Sequence, residues 1–310
     1  MEHHLLINTR TGIETMTIIN YGCPVPKGIL LVIGGSENKG EEPESGSREE
    51  AKAESRECDI PRTEVLETFV KLIGKEDPLV AVITTAGGEP EESFEDYKKV
   101  LGELGIQRVR HIHHYSRKEV LDDALEERVR EADAFFFSGG DQLKLTSAYG
   151  GSTFLSILKE RYIKDHIVIA GTSAGAMALS TPMIYAGSKD VEEVTSEIKV
   201  TTGLQFLNDV CVDTHFVHRG RFVRMAQVIV TNPTCVGIGI EEDTAIIVRN
   251  GREAEVVGTG TIIAIEGFRI GDSNVKDFTK KKIISVRDLR VHILSRGDEY
   301  LIPQCNPPHL

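Results

Sequence analysis

A chain of 310 residues, 40% hydrophobic and 27% charged, has the make-up of a globular protein long enough to bury a large core. No apolar run approaches the roughly 18 to 20 residues of a membrane span, so no membrane partner is expected. A formal net charge of −12 would repel a phosphate backbone, which argues against nucleic acid and leaves a cationic substrate compatible, although acidic surfaces mostly serve solubility.

Residues 1–27 read as an N-terminal extension whose start has neither the basic residues nor the long apolar stretch of a secretory signal, so a cytoplasmic protein is expected. Gly28 to Gly35 is a short apolar run closed by glycines, the pattern of a parallel strand buried on both faces. Residues 36–61, crowded with Glu, Lys, Gly and Ser, read as an acidic mobile loop, a solvated insertion before a lid. Helices and strands then alternate: a helix over Val65 to Ile73, a strand over Leu79 to Thr84, a helix over Ser93 to Leu104 and a strand over Val109 to His114. Arg117 to Ala132 reads as one helix, and Ala134 to Phe137 and Ile167 to Ala170 as strands. Repeated βα units predict an α/β fold with a doubly wound, mostly parallel sheet. After Ser180 the runs become shorter and β-rich (Val210 to His215, Ala245 to Val248, Thr261 to Ile265), with 244–310 as a β-rich C-terminal part. They either extend the main sheet or build a layer beside it. Without a flexible linker between the halves, one integrated domain is expected.

Gly171-Thr172-Ser173-Ala174-Gly175 joins an apolar strand to a small-residue helix, the setting of a nucleophile elbow. There Ser173 Oγ stands clear of the sheet and the Ala174 N–H opens a helix where an oxyanion would form. His215, ending a strand run, is the best candidate base; His218 and the trio His111, His113 and His114 fit less well. That trio lacks a Cys or carboxylate at ligand spacing, so neither a metal nor any other cofactor is expected. Five scattered cysteines without a C-x-x-C pair read as reduced thiols. Asp213, Glu241, Glu242 and Asp243 compete to orient the imidazole. Asp213 shares a strand face with His215 at roughly 7 Å, long for a hydrogen bond, and spacing does not choose among the others. Ser138-Gly139-Gly140-Asp141-Gln142 follows a strand and should face the same crevice, with Gly140 offering a second oxyanion N–H. Arg219, Arg221 and Arg224 are suited to gripping carboxylates.

With Ile33-Gly34-Gly35, the Ser138 to Gln142 loop, the Ser173 elbow, Asp213-Thr214-His215-Phe216 with Arg219-Gly220-Arg221, and Gly237 to Ala245, the chain resembles the cyanophycinase family of serine peptidases, relatives of the aspartyl dipeptidase peptidase E. The resemblance implies a class I glutamine amidotransferase-like, flavodoxin-like fold, a homodimer, and a triad of Ser173, His215 and Glu242. It places Gln142, Asp213, Thr214, Arg219, Arg221 and Arg224 at the substrate. The implied substrate is cyanophycin, or a related aspartyl/arginine peptide, cut to β-aspartyl-arginine dipeptides. On this reading Asp213 receives substrate guanidinium and the arginines hold carboxylates. Thr214 departs from the family, which usually has Gln there.

Overall fold

In a strand buried on both faces, consecutive side chains serve two cores, and the run after Gly28 does so: Leu30 and Val32 join one apolar cluster while Leu31 and Ile33 join another. The computed structural model describes residues 3–9, 12–18, 24–40, 63–121, 124–186, 198–274 and 285–303. Most of the acidic segment, residues 41–61, lies outside them.

An antiparallel hairpin, β1 (His3–Thr9) and β2 (Gly12–Ile18), comes first. The alternating part runs β3 (Ile29–Ile33), α1 (Glu64–Ile73), β4 (Leu79–Ile83), α2 (Pro90–Glu103), β5 (Arg108–Ile112), α3 (Arg117–Val120), α4 (Ala124–Glu131), β6 (Ala134–Phe137), α5 (Gln142–Tyr149), α6 (Thr153–Lys164), β7 (Val168–Thr172) and α7 (Ala174–Ala178). Short strands β8 (Ser180–Thr181), β9 (Met183–Ala186), β10 (Lys199–Thr201) and β11 (Leu207–Asn208) lead to β12 (Val210–Thr214), α8 (Phe222–Thr231), β13 (Val236–Ile240), β14 (Thr244–Arg249), β15 (Glu253–Gly258) and β16 (Ile262–Glu266). The last strands are β17 (Asp272–Ser273), β18 (Val286–Arg287), β19 (Arg290–Leu294) and β20 (Glu299–Leu301).

The expected α/β architecture is present as an eight-stranded sheet ordered β20-β15-β14-β3-β7-β6-β4-β5, in which the five strands from β3 to β5 are parallel. Helices cover both faces: Val65, Leu66 and Phe69 of α1 with Phe94 and Leu101 of α2 on one, Leu125, Val129 and the α6 residues Leu155 and Leu158 on the other. The late strands both extend the main sheet and build a layer of their own. β14, β15 and β20 join the eight-stranded sheet in antiparallel fashion, while β12, β13, β16 and β19 belong to a second, six-stranded sheet.

Three local readings need correction. The second helix starts at Pro90, earlier than Ser93, because proline at its first turn needs no N–H partner. The run from Arg117 is two helices rather than one, α3 ending at Val120. His113 and His114 lie beyond the end of β5, where they turn back onto β4's end: His113 Nδ1 is 3.1 Å from Thr84 Oγ1, and the His114 N–H donates to Thr85 Oγ1 at 3.2 Å.

Close packing dictates the small residues of the elbow. A β-carbon on Gly175 would stand 2.3 Å from the Phe137 carbonyl oxygen, so α7 can seat on the end of β6 only with glycine there. Gly175→Ala should therefore lower stability by about 1–3 kcal/mol, as overpacking does. At Gly88, where a β-carbon meets nothing within 4 Å, alanine should change stability by less than about 0.5 kcal/mol. Urea denaturation of both variants checks the contrast.

Candidate active site

Five strand ends meet at one place. Ser173 follows β7, whose neighbours are β3 and β6, so Gly34-Gly35 and Ser138-Gly139-Gly140 flank it from either side. His215 follows β12 and Glu241 follows β13, the parallel pair of the second sheet. Because β14 runs antiparallel to β3, it begins where β3 ends, with Ala245 beside Ile33, and this delivers Glu242 and Asp243 to the same edge.

Ser173 has φ 51° and ψ −113°, a conformation rarely adopted by a residue with a β-carbon. Its N–H donates to the Ile33 carbonyl at 3.1 Å and its carbonyl accepts the Met177 N–H at 3.0 Å, so strand and helix hold it from both ends. Ser173 Oγ lies 3.0 Å from His215 Nε2, and His215 Nδ1 lies 2.5 Å from Glu242 Oε1. A carboxylate can only accept, so the proton sits on Nδ1 and leaves Nε2 free to take the serine proton. Gly35, at φ 100°, passes directly under the ring: a β-carbon there would stand 2.5 Å from His215 Nε2. This is a hydroxyl, a base and an orienting acid within hydrogen-bond reach, chemically able to perform acyl transfer.

The acidic run after β13 divides its work by direction. Glu241 accepts the N–H groups of Val217 (2.6 Å) and His218 (3.2 Å), closing the turn after His215. Asp243 accepts the Asn38 N–H at 3.0 Å and the Thr259 hydroxyl at 3.1 Å. Only Glu242 reaches the imidazole. Burial by itself would raise the Glu242 carboxyl, but its hydrogen bond to His215, electrostatic interaction with the His215 and His218 rings, and a hydrogen bond from Ser36 hold it below the ordinary value of 4.5.

Asp213 is wholly buried. Its oxygens accept Arg221 Nη1 (2.9 Å), Arg224 Nε (2.6 Å) and Nη2 (2.5 Å), and the Thr214 N–H (2.9 Å). The expected contact between Asp213 and a substrate guanidinium is therefore corrected: the carboxylate is withdrawn from solvent and occupied by the protein's own arginines. Arg221 and Arg224 keep partly exposed side chains, and Arg219 is exposed. Burial draws the Arg221 guanidinium below its ordinary value, with Asp213 opposing this. Gln142 opens α5 and donates its amide to the Ile184 carbonyl at 2.7 Å. Thr214 Oγ1 is buried without a hydrogen-bond partner among the described residues. A β-carbon on Gly139 would stand 3.5 Å from Ser173 Cβ, and one on Gly140 would strike the Ala86 carbonyl. The histidine trio lies apart, on Thr84 and Tyr149, with His111 stacked on Phe94 at 4.3 Å. Sequence reasoning missed Ser36 and Glu37, although their place directly after the Gly34-Gly35 strand end marks them as crevice residues.

Fold and site together define a hydrolase of the serine type, built on a strand-turn-helix elbow. The chain belongs to peptidase family S51, whose family model matches residues 53–256, more than half of its length, and it is a serine peptidase. It is similar to the cyanophycinase of Geminocystis herdmanii, 28% identical over 271 residues that cover 87% of this chain and 92% of that one. The cyanophycinase of Thermosynechococcus vestitus is 28% identical over 274 residues, covering 88% and 79%. Among solved structures, a peptidase from an acI-B1 Actinobacterium superposes with a TM-score of 0.58 at 20% identity, covering 90% of this chain and 98% of that one, a likeness of fold. Among the described residues no helix is long and apolar enough to cross a membrane.

The depressed Glu242 carboxyl makes stability depend on pH. A group with a lowered folded-state pKa stabilises above its unfolded value, and that contribution is lost as pH falls through the folded value. Wild type should thus lose its stability advantage over Glu242→Gln as pH drops from neutral to below 4.5, measured by urea midpoints across that range.

Proposed function

We propose that this peptidase hydrolyses the poly-aspartate backbone of cyanophycin to β-aspartyl-arginine dipeptides through an acyl-enzyme on Ser173. The observation that carries the reading is the pair Arg221 and Arg224 locked onto one buried carboxylate, that of Asp213, two residues before His215 on the strand that delivers the imidazole. Two guanidinium groups against one carboxylate leave net positive charge on side chains that still reach solvent, and the exposed Arg219 adds to it. Their geometry suits carboxylates in a bidentate grip, and the side-chain-linked arginines of cyanophycin present free α-carboxylates. Similarity to cyanophycinases along most of the chain supports the same substrate. Asp213 acts through the arginines by fixing their orientation. Gln142 is the neutral group of the substrate site, while the Thr214 hydroxyl is buried without a hydrogen-bond partner among the described residues.

In the proposed reaction, Ser173 Oγ attacks the backbone carbonyl carbon while His215 Nε2 takes the hydroxyl proton. The N–H groups of Gly140 and Ala174 receive the oxyanion. Collapse breaks the C–N bond, and the imidazolium protonates the departing amine. Water, deprotonated by His215, then attacks the acyl carbon and frees Ser173 and a carboxylate product. Glu242 stabilises the imidazolium in both halves.

Ser173→Ala should reduce kcat on the order of 10⁴-fold or more. Arg224→Ala should raise KM for cyanophycin more than it lowers kcat. The decisive measurement is the mass of the product released from insoluble cyanophycin. A dipeptide of aspartate and arginine supports the reading; release from short aspartyl peptides alone would replace the substrate.

A further inference from the structure

Glu37 is a buried carboxylate, 7% exposed, that the proposed reaction does not use. One oxygen accepts the Tyr97 hydroxyl at 2.5 Å and the other accepts Thr172 Oγ1, and among the described residues no lysine, arginine or histidine is ion-paired with it. Burying a carboxyl group there costs more than burying an apolar side chain. Its place in the chain is therefore informative.

Glu37 belongs to a stretch of six residues that touches every member of the triad. The Ile33 carbonyl accepts the Ser173 N–H at 3.1 Å, and the Gly34 carbonyl accepts the His215 N–H at 2.9 Å. The Gly35 carbonyl accepts the Asp243 N–H at 3.0 Å, and Ser36, itself at φ 47°, hydrogen-bonds Glu242. Asn38 donates its N–H to Asp243. Glu37 is the member that ties this stretch by a side chain to Thr172, the residue immediately before the nucleophile. A backbone held at φ 51° and ψ −113° is strained and persists only where its surroundings over-determine it. Loss of the Thr172 tie would leave the elbow and the loop under His215 joined through the Ile33 end of the stretch, and so less closely held to one another.

We infer that Glu37 is a positioning residue for the reaction: through Thr172 it holds Ser173 in line with His215, while Tyr97 serves only to seat its carboxylate. This rests on Ser173 being the nucleophile. The two arms of the carboxylate make separable demands. The Thr172 arm governs reactivity, and the Tyr97 arm governs stability.

The test is the second-order rate at which a fluorophosphonate phosphonylates Ser173 with loss of fluoride, a readout independent of the peptide substrate, taken beside urea unfolding of each variant. Thr172→Val and Glu37→Ala should each slow labelling about 10- to 100-fold, the range a sub-ångström to 1 Å misplacement produces. The double variant should be no slower than the slower single one, within about twofold, because both remove one link. Glu37→Gln, able to hydrogen-bond both hydroxyls, should recover most of the rate. Tyr97→Phe should unfold at lower urea yet label within about twofold of wild type. Wild-type labelling speed in Thr172→Val, equal slowing by Tyr97→Phe and Thr172→Val, or fully multiplicative single effects would overturn the positioning role while leaving the nucleophile in place. Absence of labelling at Ser173 in the wild type would overturn both.

Discussion

The backbone of Ser173 is the constraint on which the rest of the structure depends. A residue with a β-carbon at φ 51° and ψ −113° is unfavourable alone, and the surrounding chain has to hold it. It is held by the Ile33 carbonyl on one side, by the start of α7 on the other, and by α7 seating so closely on β6 that position 175 has no room for a side chain. In return, the hydroxyl is held within 3.0 Å of His215 Nε2, at the point where α7 begins. Strain and proposed function share one turn.

Two sheets deliver the proposed catalytic constellation. The main sheet supplies the elbow and its two flanking loops from parallel strands that all end at one edge, the ordinary location of a crevice in this architecture. The second sheet supplies His215 and Glu242 from β12 and β13, and the chain then crosses from β13 into β14 beside β3. That crossover explains why three consecutive acidic residues have three different partners: Glu241 faces the turn after β12, Glu242 the imidazole, and Asp243 the loop after β3.

Electrostatics are local against an opposite background. The chain carries a formal charge of −12, yet two residues before His215 two arginines share one buried aspartate. A lone buried carboxylate would be costly, and pairing with guanidinium groups that still reach solvent offsets that cost while fixing their direction. The arrangement makes Asp213 part of the scaffold for the arginines, which keep the surface that meets solvent.

Much of this was legible in the residues. Apolar runs of about five residues alternating with amphipathic segments specify a parallel α/β sheet, since strands buried on both faces read as continuous hydrophobic stretches. Gly171 to Gly175 specifies a tight strand-to-helix turn around Ser173, because only small residues allow that approach. By itself, then, the sequence determined the fold class, the elbow and the strand end that carries His215. Local spacing says nothing about which strand ends become neighbours across two sheets, and the tertiary structure alone decided those pairings. Spacing left Glu241, Glu242 and Asp243 open and only the family resemblance pointed to Glu242, which the structure sets against the imidazole; the structure alone turned Asp213 inward to Arg221 and Arg224 and brought Glu37 beneath Thr172, across 135 residues of chain. Each of those contacts joins residues whose distance is set by strand order and crossover, and chain position does not carry that information.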